Sequence, residues 1–459
     1  MQPIRYVIVG NGAAGVTAAE TIRHQDPMGE ITIVSAEPYP MYSRPGLAYL
    51  LINEIPRQQV FARQPEWYQQ MCINLLFGLA ERLDVDQQQV ILGDGRILPY
   101  DRLLIATGAR AVPPPYPGAE LKGVVYLDTL DGTLALVKQA KRRRRAVVIG
   151  GGITALEMTE GLAHNGVDTH YFLRRNRLWS KVFNDTEASL LEKRMRDHHI
   201  NIHYNTEATE ILGDRKGRVR AVRLEDGREF KCDIVGVAIG VKPQIDLIQN
   251  SPIKTDRAIL VNEFMQSSQR NVFAAGDCAQ VYDRWTNKHT LDILWPSAVA
   301  EGHAAALNMC GQQIPYEKGS PFNACLLYGL HITTMGQINP HQDDDSDEGP
   351  EVMQYLSRGS SEVWYTYPRH YASAWSNDGE NTLRLVLDGD YLVGALIVGE
   401  QSTADPLRYI IENRINFREV HPDLSIGGLA LKRSLQQFWS NLNRNQAGSY
   451  PNPQNIIIE

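Results

Sequence analysis

A strand–glycine–helix–strand unit occurs twice in this chain, and that repeat constrains the fold more than any other feature. In the first copy, Ile4-Arg5-Tyr6-Val7-Ile8-Val9 runs into Gly10-Asn11-Gly12-Ala13-Ala14-Gly15. Helical spacing follows over 16–24, then a second β-rich run over 31–34 that ends near Glu37. In the second copy, Ala146-Val147-Val148-Ile149 runs into Gly150-Gly151-Gly152, a helix over 153–164 and a strand over 170–173. Apolar runs with little alternation suit strands buried on both faces, as in parallel sheets covered by helices. Asn165-Gly166 reads as the C-cap of the second helix. This order of elements predicts an α/β protein with two Rossmann-like dinucleotide-binding domains.

Each glycine of the first copy has a physical task. Gly10 suits the tight turn, Gly12 lets backbone approach a pyrophosphate, and Gly15 lets the helix pack closely on the strand. The amides at the helix start, Ala14 included, then face the phosphates. Glu37 stands 22 residues beyond Gly15, close to the ~20 at which a ribose-binding acid is expected. The alternative for Glu37 is a surface glutamate after a strand.

The second cradle keeps Gly150 and Gly152, and Ala155 fills the third position, which the fingerprint allows. Its second strand ends Phe172-Leu173-Arg174-Arg175-Asn176-Arg177, with no acid. A free ribose hydroxyl wants an acceptor there, and a 2′-phosphate wants guanidinium donors. Arg174, Arg175 and Arg177 therefore favour a 2′-phosphorylated nucleotide, against the alternative of a solvated strand end. The basic run at 141–145 is a separate matter. It precedes the first strand of the second unit, at the edge away from ligands, and is read as a solvated helix end rather than a nucleic-acid patch.

At 459 residues the chain exceeds what one core usually serves. Its 43% hydrophobic and 22% charged residues are ordinary globular values, and a net charge of −7 gives no general attraction to nucleic acid or anionic membranes. No apolar run approaches the ~18 residues of a membrane span. The early strand is expected to leave no room for a signal peptide. The five cysteines, Cys72, Cys232, Cys278, Cys310 and Cys325, are odd in number and lack CxxC spacing. That suits a reducing cytoplasm and argues against a disulfide framework or a zinc site, so no metal is expected.

Elsewhere, 218–224 and Glu229-Phe230 flank Asp226-Gly227 as a hairpin would. From about Phe322 the pattern alternates, as at 383–387 and 392–398 around Asp388-Gly389-Asp390. An antiparallel sheet in a C-terminal α+β domain is predicted. The run Asp343-Asp344-Asp345 is read as a solvated loop, with partner docking as the sharper alternative. The tail places Leu431, Leu435, Phe438, Trp439 and Leu442 on one helical face. A helix packed on the C-terminal domain is favoured there over an interfacial membrane helix.

Further motifs sharpen the picture. They are Tyr100-Asp101-Arg102-Leu103-Leu104-Ile105-Ala106-Thr107-Gly108, Gly236-Val237-Ala238-Ile239-Gly240-Val241-Lys242-Pro243, and Asn271-Val272-Phe273-Ala274-Ala275-Gly276-Asp277. Leu294-Trp295-Pro296 with Ala300-Glu301-Gly302 is another. With the two cradles, these make the chain resemble the FAD-dependent pyridine nucleotide oxidoreductases with two dinucleotide-binding domains. It looks most like their rubredoxin reductase and nitrite reductase flavoprotein branch, over about residues 4–400.

That resemblance implies FAD in the first cradle, with Ala106, Thr107, Gly108, Gly276, Asp277, Trp295 and Pro296 in its site. It implies a nicotinamide nucleotide in the second, with Gly240; the arginines make this NADPH, with NADH less favoured. Asp277 would accept from a ribityl hydroxyl, and a helix beginning near Pro296 would aim its positive end at the flavin. Glu157 would be catalytic beside the nicotinamide; its alternative is to complement a helix N-terminus. Arg44, within Met41-Tyr42-Ser43-Arg44-Pro45-Gly46-Leu47, is a candidate contact to FAD or to Glu157. Two departures count against thiol chemistry: no CxxxxC pair follows the first cradle, and no cysteine stands in 41–47. Cys278 is read as a packed small residue. Tyr49 stands where oxygenase-type ferredoxin reductases carry a lysine.

The implied organisation is an FAD domain of 1–115 with 245–320, an NAD(P)H domain of 116–244 and a C-terminal interface domain of 321–459. The implied reaction is hydride transfer from NADPH to FAD, then electron delivery to a redox acceptor such as rubredoxin, ferredoxin or a nitrite reductase partner. A quinone or oxygen acceptor, and a non-catalytic FAD- or nucleotide-sensing scaffold subunit, are the alternatives. Oligomerisation through the C-terminal domain and peripheral membrane contact through the tail are left open.

Overall fold

Strand Arg5–Val9 (β1) is the centre of a five-stranded parallel sheet in a computed structural model that describes residues 2–283, 288–338, 371–377, 381–423 and 428–447. The sheet order is Val272–Ala274, Arg102–Ile105, β1, Glu30–Ser35 (β2) and Ile73–Phe77. Every neighbouring pair in it is parallel. Helix Ala13–Gln25 (α1) joins β1 to β2 and buries Ala13, Ala14, Gly15, Ala18 and Ala19. These small residues allow a second helix, Trp295–Met309, to approach closely: a Cβ on its Gly302 would lie 2.3 Å from the Ala14 carbonyl oxygen.

The second copy forms a sheet of its own. Arg145–Ile149 (β3), helix Ile153–His164 (α2) and Asp168–Phe172 (β4) stand in the order Asn201–His203, β4, β3, Ile234–Val237 and Val124–Val125. All of these pairs are parallel. The α2 helix ends at Asn165, and Gly166 follows with φ +77°, the left-handed turn that a C-cap glycine permits. Val219–Leu224 and Glu229–Lys231 pair as the expected hairpin. The chain passes between the two sheets on Ala109–Ala111 and Val241–Pro243, which pair antiparallel. The first sheet therefore draws its last strand from chain that follows the second sheet.

The described residues divide into two compact units, one within Met1–Asn323 and one from Ala324 onward. Phe322–Leu327, Leu330–Gly336, Tyr391–Val398, Thr382–Asp388 and Tyr371–Asn377 form a five-stranded sheet in that order. Its last four strands pair antiparallel. The tail forms helix Gly428–Ala447. Leu431 and Leu435 on it are buried, and Phe438 and Trp439 meet Tyr409 of helix Ala404–Glu412, the latter at 5.8 Å between ring centroids. Lys432 pairs with Glu400 at 2.7 Å. The apolar face is thus spent on packing within its own unit. Among the described residues no helix is long and apolar enough to cross a membrane. The acidic run at 343–348 lies outside the described residues.

Candidate functional site

Gly10 has φ +125°, and a Cβ on it would stand 2.0 Å from the Ala106 carbonyl oxygen. Any side chain there would force the end of β1 away from the turn at Ala106-Thr107-Gly108. Gly15 is constrained by packing, since its Cβ would strike the Gly10 carbonyl at 2.0 Å. Gly12 differs: a Cβ there would meet nothing within 4 Å. It faces open space, and it caps α1 without any side-chain partner and with no acid in the first turn. A helix start of that kind offers its unpaired amides to an anion.

The cavity that Gly12 faces brings Gly10, Gly12, Ala14, Glu37, Arg44, Ala106, Thr107, Gly108, Gly276, Asp277 and Trp295 together. Glu37 is half-buried. The Tyr42 hydroxyl lies 3.0 Å from each of its carboxylate oxygens, and the Arg44 guanidinium lies 3.6 Å away. It is a fixed acid in the wall rather than a loose surface glutamate. Toward the other end stands Asp277, whose carboxyl is pushed up to about 6 by burial, against the pull of Arg44. The helix Trp295–Met309 (α3) begins there, again with no side-chain cap and no acid in its first turn. Pro296 is exposed beside the lining rather than part of it. An amide-rich centre, a fixed acid in the wall and a second uncapped helix start fit a dinucleotide carrying a flavin.

The second cradle repeats the device. Gly150 has φ +147°, and its Cβ would lie 2.1 Å from the Ala238 carbonyl oxygen. Gly152 caps α2 with no side-chain partner and no acid in the first turn. Asp128, Gly152, Thr154, Ala238 and Gly240 line a smaller cavity there. Ala155 and Glu157 are fully buried on α2. Arg174 and Arg175 are exposed just beyond the end of β4. Arg177 pairs with Asp185 at 2.8 Å. Arg145, the last of the basic run, begins β3 and pairs with Asp168 at 2.7 Å, at the far end of that strand from Gly150.

Asp128 joins the two cavities, and the motifs did not mark it. Its carboxylate accepts from Arg44 at 2.9 Å and from the Ala111 amide at 3.0 Å, and its carbonyl oxygen accepts from Arg44 at 3.0 Å. Arg44 is thereby placed on Asp128 and Glu37. In sequence, Asp128-Thr129 ahead of an apolar run reads as a helix cap, and Thr129 is one, accepting from the Gly132 amide. Tyr42, two residues before Arg44, is a second wall residue that no motif marks. The five cysteines are free thiols, and none lines either cavity. Cys278 is fully buried, its thiol donating to the Ile105 carbonyl at 3.4 Å and pushed up by burial, as a packed residue would be.

Residues 4–302 match the pyridine nucleotide-disulphide oxidoreductase family. The chain belongs to that family. Membership brings FAD and a pyridine nucleotide as cofactors. Within it, the assimilatory nitrate reductase electron transfer subunit of Bacillus subtilis (strain 168) is 33% identical over 344 residues, 74% of this chain and 43% of that protein. Nitrite reductase [NAD(P)H] of the same strain is 28% identical over 417 residues, 90% of this chain and 48% of that protein. The chain spans less than half the length of these two relatives. Putidaredoxin reductase, solved in a covalent complex with putidaredoxin, shares the fold with a TM-score of 0.82 at 24% identity, over 95% of this chain and 98% of that one. The disulphide of the family name has no counterpart here, because no cysteine reaches either cavity.

Proposed function

We propose that this chain is an NAD(P)H-dependent flavoprotein reductase that passes electrons to a separate redox protein. The observation that carries this reading is the Arg44–Asp128 pair, because Arg44 lines the first cavity and Asp128 the second. Two dinucleotide cradles that share a wall can bring a nicotinamide against a flavin. Bound FAD supplies the conversion of a hydride into electrons an acceptor can take.

The chain's own residues bind and orient. The α1 amides behind Gly12 take the pyrophosphate, Glu37 held by Tyr42 takes the ribose, and Asp277 takes a ribityl hydroxyl. The start of α3 faces the flavin with its positive end, and Glu157 orients the nicotinamide. Arg174 and Arg175 favour the 2′-phosphate, which makes NADPH the preferred donor. The working division is a flavin domain of 1–115 with 245–320, a nucleotide domain of 116–244 and an interface domain of 321–459. With no thiol in either cavity, the chain's own residues offer no sulfur relay between donor and acceptor, and the reading puts the protein in the reducing cytoplasm. The names of two relatives, an electron transfer subunit and a reductase of putidaredoxin, support a protein acceptor.

The test is stopped-flow mixing of the FAD-loaded protein with NADPH and with NADH, followed by an acceptor screen. Rapid bleaching of the flavin absorbance, then reoxidation by rubredoxin or ferredoxin faster than by a quinone or oxygen, is expected. Absence of bleaching with either nucleotide would replace the reductase by a nucleotide-sensing subunit. A faster quinone or oxygen reaction would replace the protein acceptor.

A further inference from the structure

Behind the Asp277 end of the first cavity lies a group of buried charges that the cradles do not use. Lys318 is 3% exposed, the one cation among the described buried residues of its unit. Its ammonium lies 2.9 Å from Asp292 and 3.5 Å from Asp283, and it donates to the Thr290 hydroxyl. Asp292 is 4% exposed and Asp283 fully buried. The other oxygen of Asp292 accepts from Ser297, in the first turn of α3, at 3.1 Å. One turn further along α3 stands Glu301, 2% exposed, whose Oε2 accepts the Gly276 amide at 2.7 Å. Gly276 has φ +77° and begins the turn that presents Asp277 to the cavity.

The charges in this region do not balance. Asp283, Asp292 and Glu301, all ionised, would face one buried ammonium among the described residues, with Asp277, which Arg44 also acts on, adding a fourth carboxylate beside them. A low-dielectric interior does not support such an excess; one member takes a proton instead. Asp292 and Asp283 have the ammonium beside them. Glu301 has no cation within ion-pair distance among the described residues, and its hydrogen bond from Gly276 needs only an acceptor oxygen, which a neutral carboxyl keeps. The groups that act on Glu301 are Asp277 from the turn, Asp292 from ahead of α3 and Lys318 from the segment after it. Tyr316, on that same segment, feels Glu301 in turn. On the other side of α3, His303 is turned toward Thr21 of α1 at 3.0 Å. Burial and Asp292 together push Glu301 well above the usual carboxylate range, and Lys318 offsets this only in part.

We propose that Glu301 is a positioning residue that holds the Gly276–Asp277 turn as a neutral acid, and that Lys318 keeps Asp292 ionised so that the proton stays on Glu301. Its consequence for the flavin rests on the FAD reading of the first cavity. There it removes a negative charge from beside a group that must accept electrons.

Thermal melting of the apoprotein between pH 5 and pH 9 reads the proton without any cofactor. A carboxyl raised on folding gives stability that is full below its unfolded value and is lost as pH rises toward its folded value. Glu301→Gln keeps the acceptor and has no proton to lose. It should melt with the parent at pH 5 and increasingly above it as pH rises. Lys318→Met should show a steeper alkaline decline than the parent, because Asp292 must then hold a proton too, and Lys318→Arg should restore the parent slope. For FAD, Glu301→Gln should bind within about twofold of the parent, and Glu301→Ala about fivefold more weakly for one lost hydrogen bond. Parallel melting profiles for Glu301→Gln and the parent would show an ionised Glu301 and overturn the proposal. So would Glu301→Gln losing FAD to the same degree as Glu301→Ala. If no variant and no parent binds FAD, the cofactor reading fails while the melting profiles still decide the proton. If Lys318→Met does not fold, the slopes of Glu301→Gln and Lys318→Arg against the parent carry the decision.

Discussion

Arg44 and Asp128 form an ion pair at 2.9 Å across the wall between the two cavities. Their side chains are 29% and 15% exposed, so the pair is screened less than a fully exposed surface bridge. Asp128→Asn keeps an acceptor for Arg44 and removes the charge. It should lower kcat/KM for the nucleotide by about fivefold, at ~1 kcal/mol for a weakened charge-assisted bond. The melting temperature should stay near that of the parent. Steady-state kinetics and melting on the same preparation check this, and an unchanged kcat/KM would reduce the pair to a structural contact.

Gly10 and Gly12 should separate folding from binding. Gly10→Ala places a methyl 2.0 Å from the Ala106 carbonyl oxygen at φ +125° and should prevent a stable fold. Gly12→Ala meets no protein atom within 4 Å and has an ordinary extended φ of −99°. Its apoprotein should melt within about 0.5 kcal/mol of the parent, yet FAD affinity should fall more than about tenfold, since the methyl occupies the space a pyrophosphate needs. Equilibrium dialysis of FAD alongside calorimetry distinguishes the two. Retained affinity would move the phosphates away from Gly12.

Asp277 ties stability to pH. Its carboxyl is raised from 3.8 to about 6 on folding, burial being the first cause. The folded state therefore holds this proton more tightly than the unfolded chain. The associated stability is present below about pH 4 and is lost as pH rises to about 6. Asp277→Asn should remove that decline in the apoprotein, a change of about 2 kcal/mol across the window. It should also weaken FAD retention by removing an anionic acceptor. Urea titrations of the parent and Asp277→Asn at pH 4 and pH 7 give the number; an equal decline in the two proteins would contradict the raised Asp277 carboxyl.

Coenzyme choice tests Arg174 and Arg175. Both are exposed beyond the end of β4, where charge-assisted contacts to a phosphate are screened by salt. The parent should favour NADPH over NADH by about tenfold in kcat/KM at low salt, with the advantage shrinking as ionic strength rises. The Arg174→Ala, Arg175→Ala double variant should lose the advantage and keep its NADH rate. A parent that prefers NADH would leave the two arginines as a solvated strand end.

Much of the fold was legible because its signals are local. The helix expected over 153–164 is the observed Ile153–His164, since both of its ends are marked, by Gly152 and by Asn165-Gly166. The first helix starts at Ala13, not Val16, because the cradle itself supplies its first turn. Strand β4 begins at Asp168, ahead of the expected position, because the polar pair Asp168-Thr169 is held by the parallel register with Arg145 and Ala146. Apolar periodicity carries no trace of that pairing.

Backbone geometry is what the sequence by itself determined here: glycines where no Cβ fits, apolar runs where both faces are covered, and a helix start left without a cap. Those constraints act within a few residues, so they survive being read one segment at a time. The side-chain partnerships had to wait for the tertiary structure. Asp128 meets Arg44 across 84 positions, and Glu301 meets Gly276 across 25. Lys318 reaches Asp292 only because the chain turns back after α3. An ion pair depends on distance and on the dielectric around it, and both are set by which elements the crossing strands and packed helices bring together.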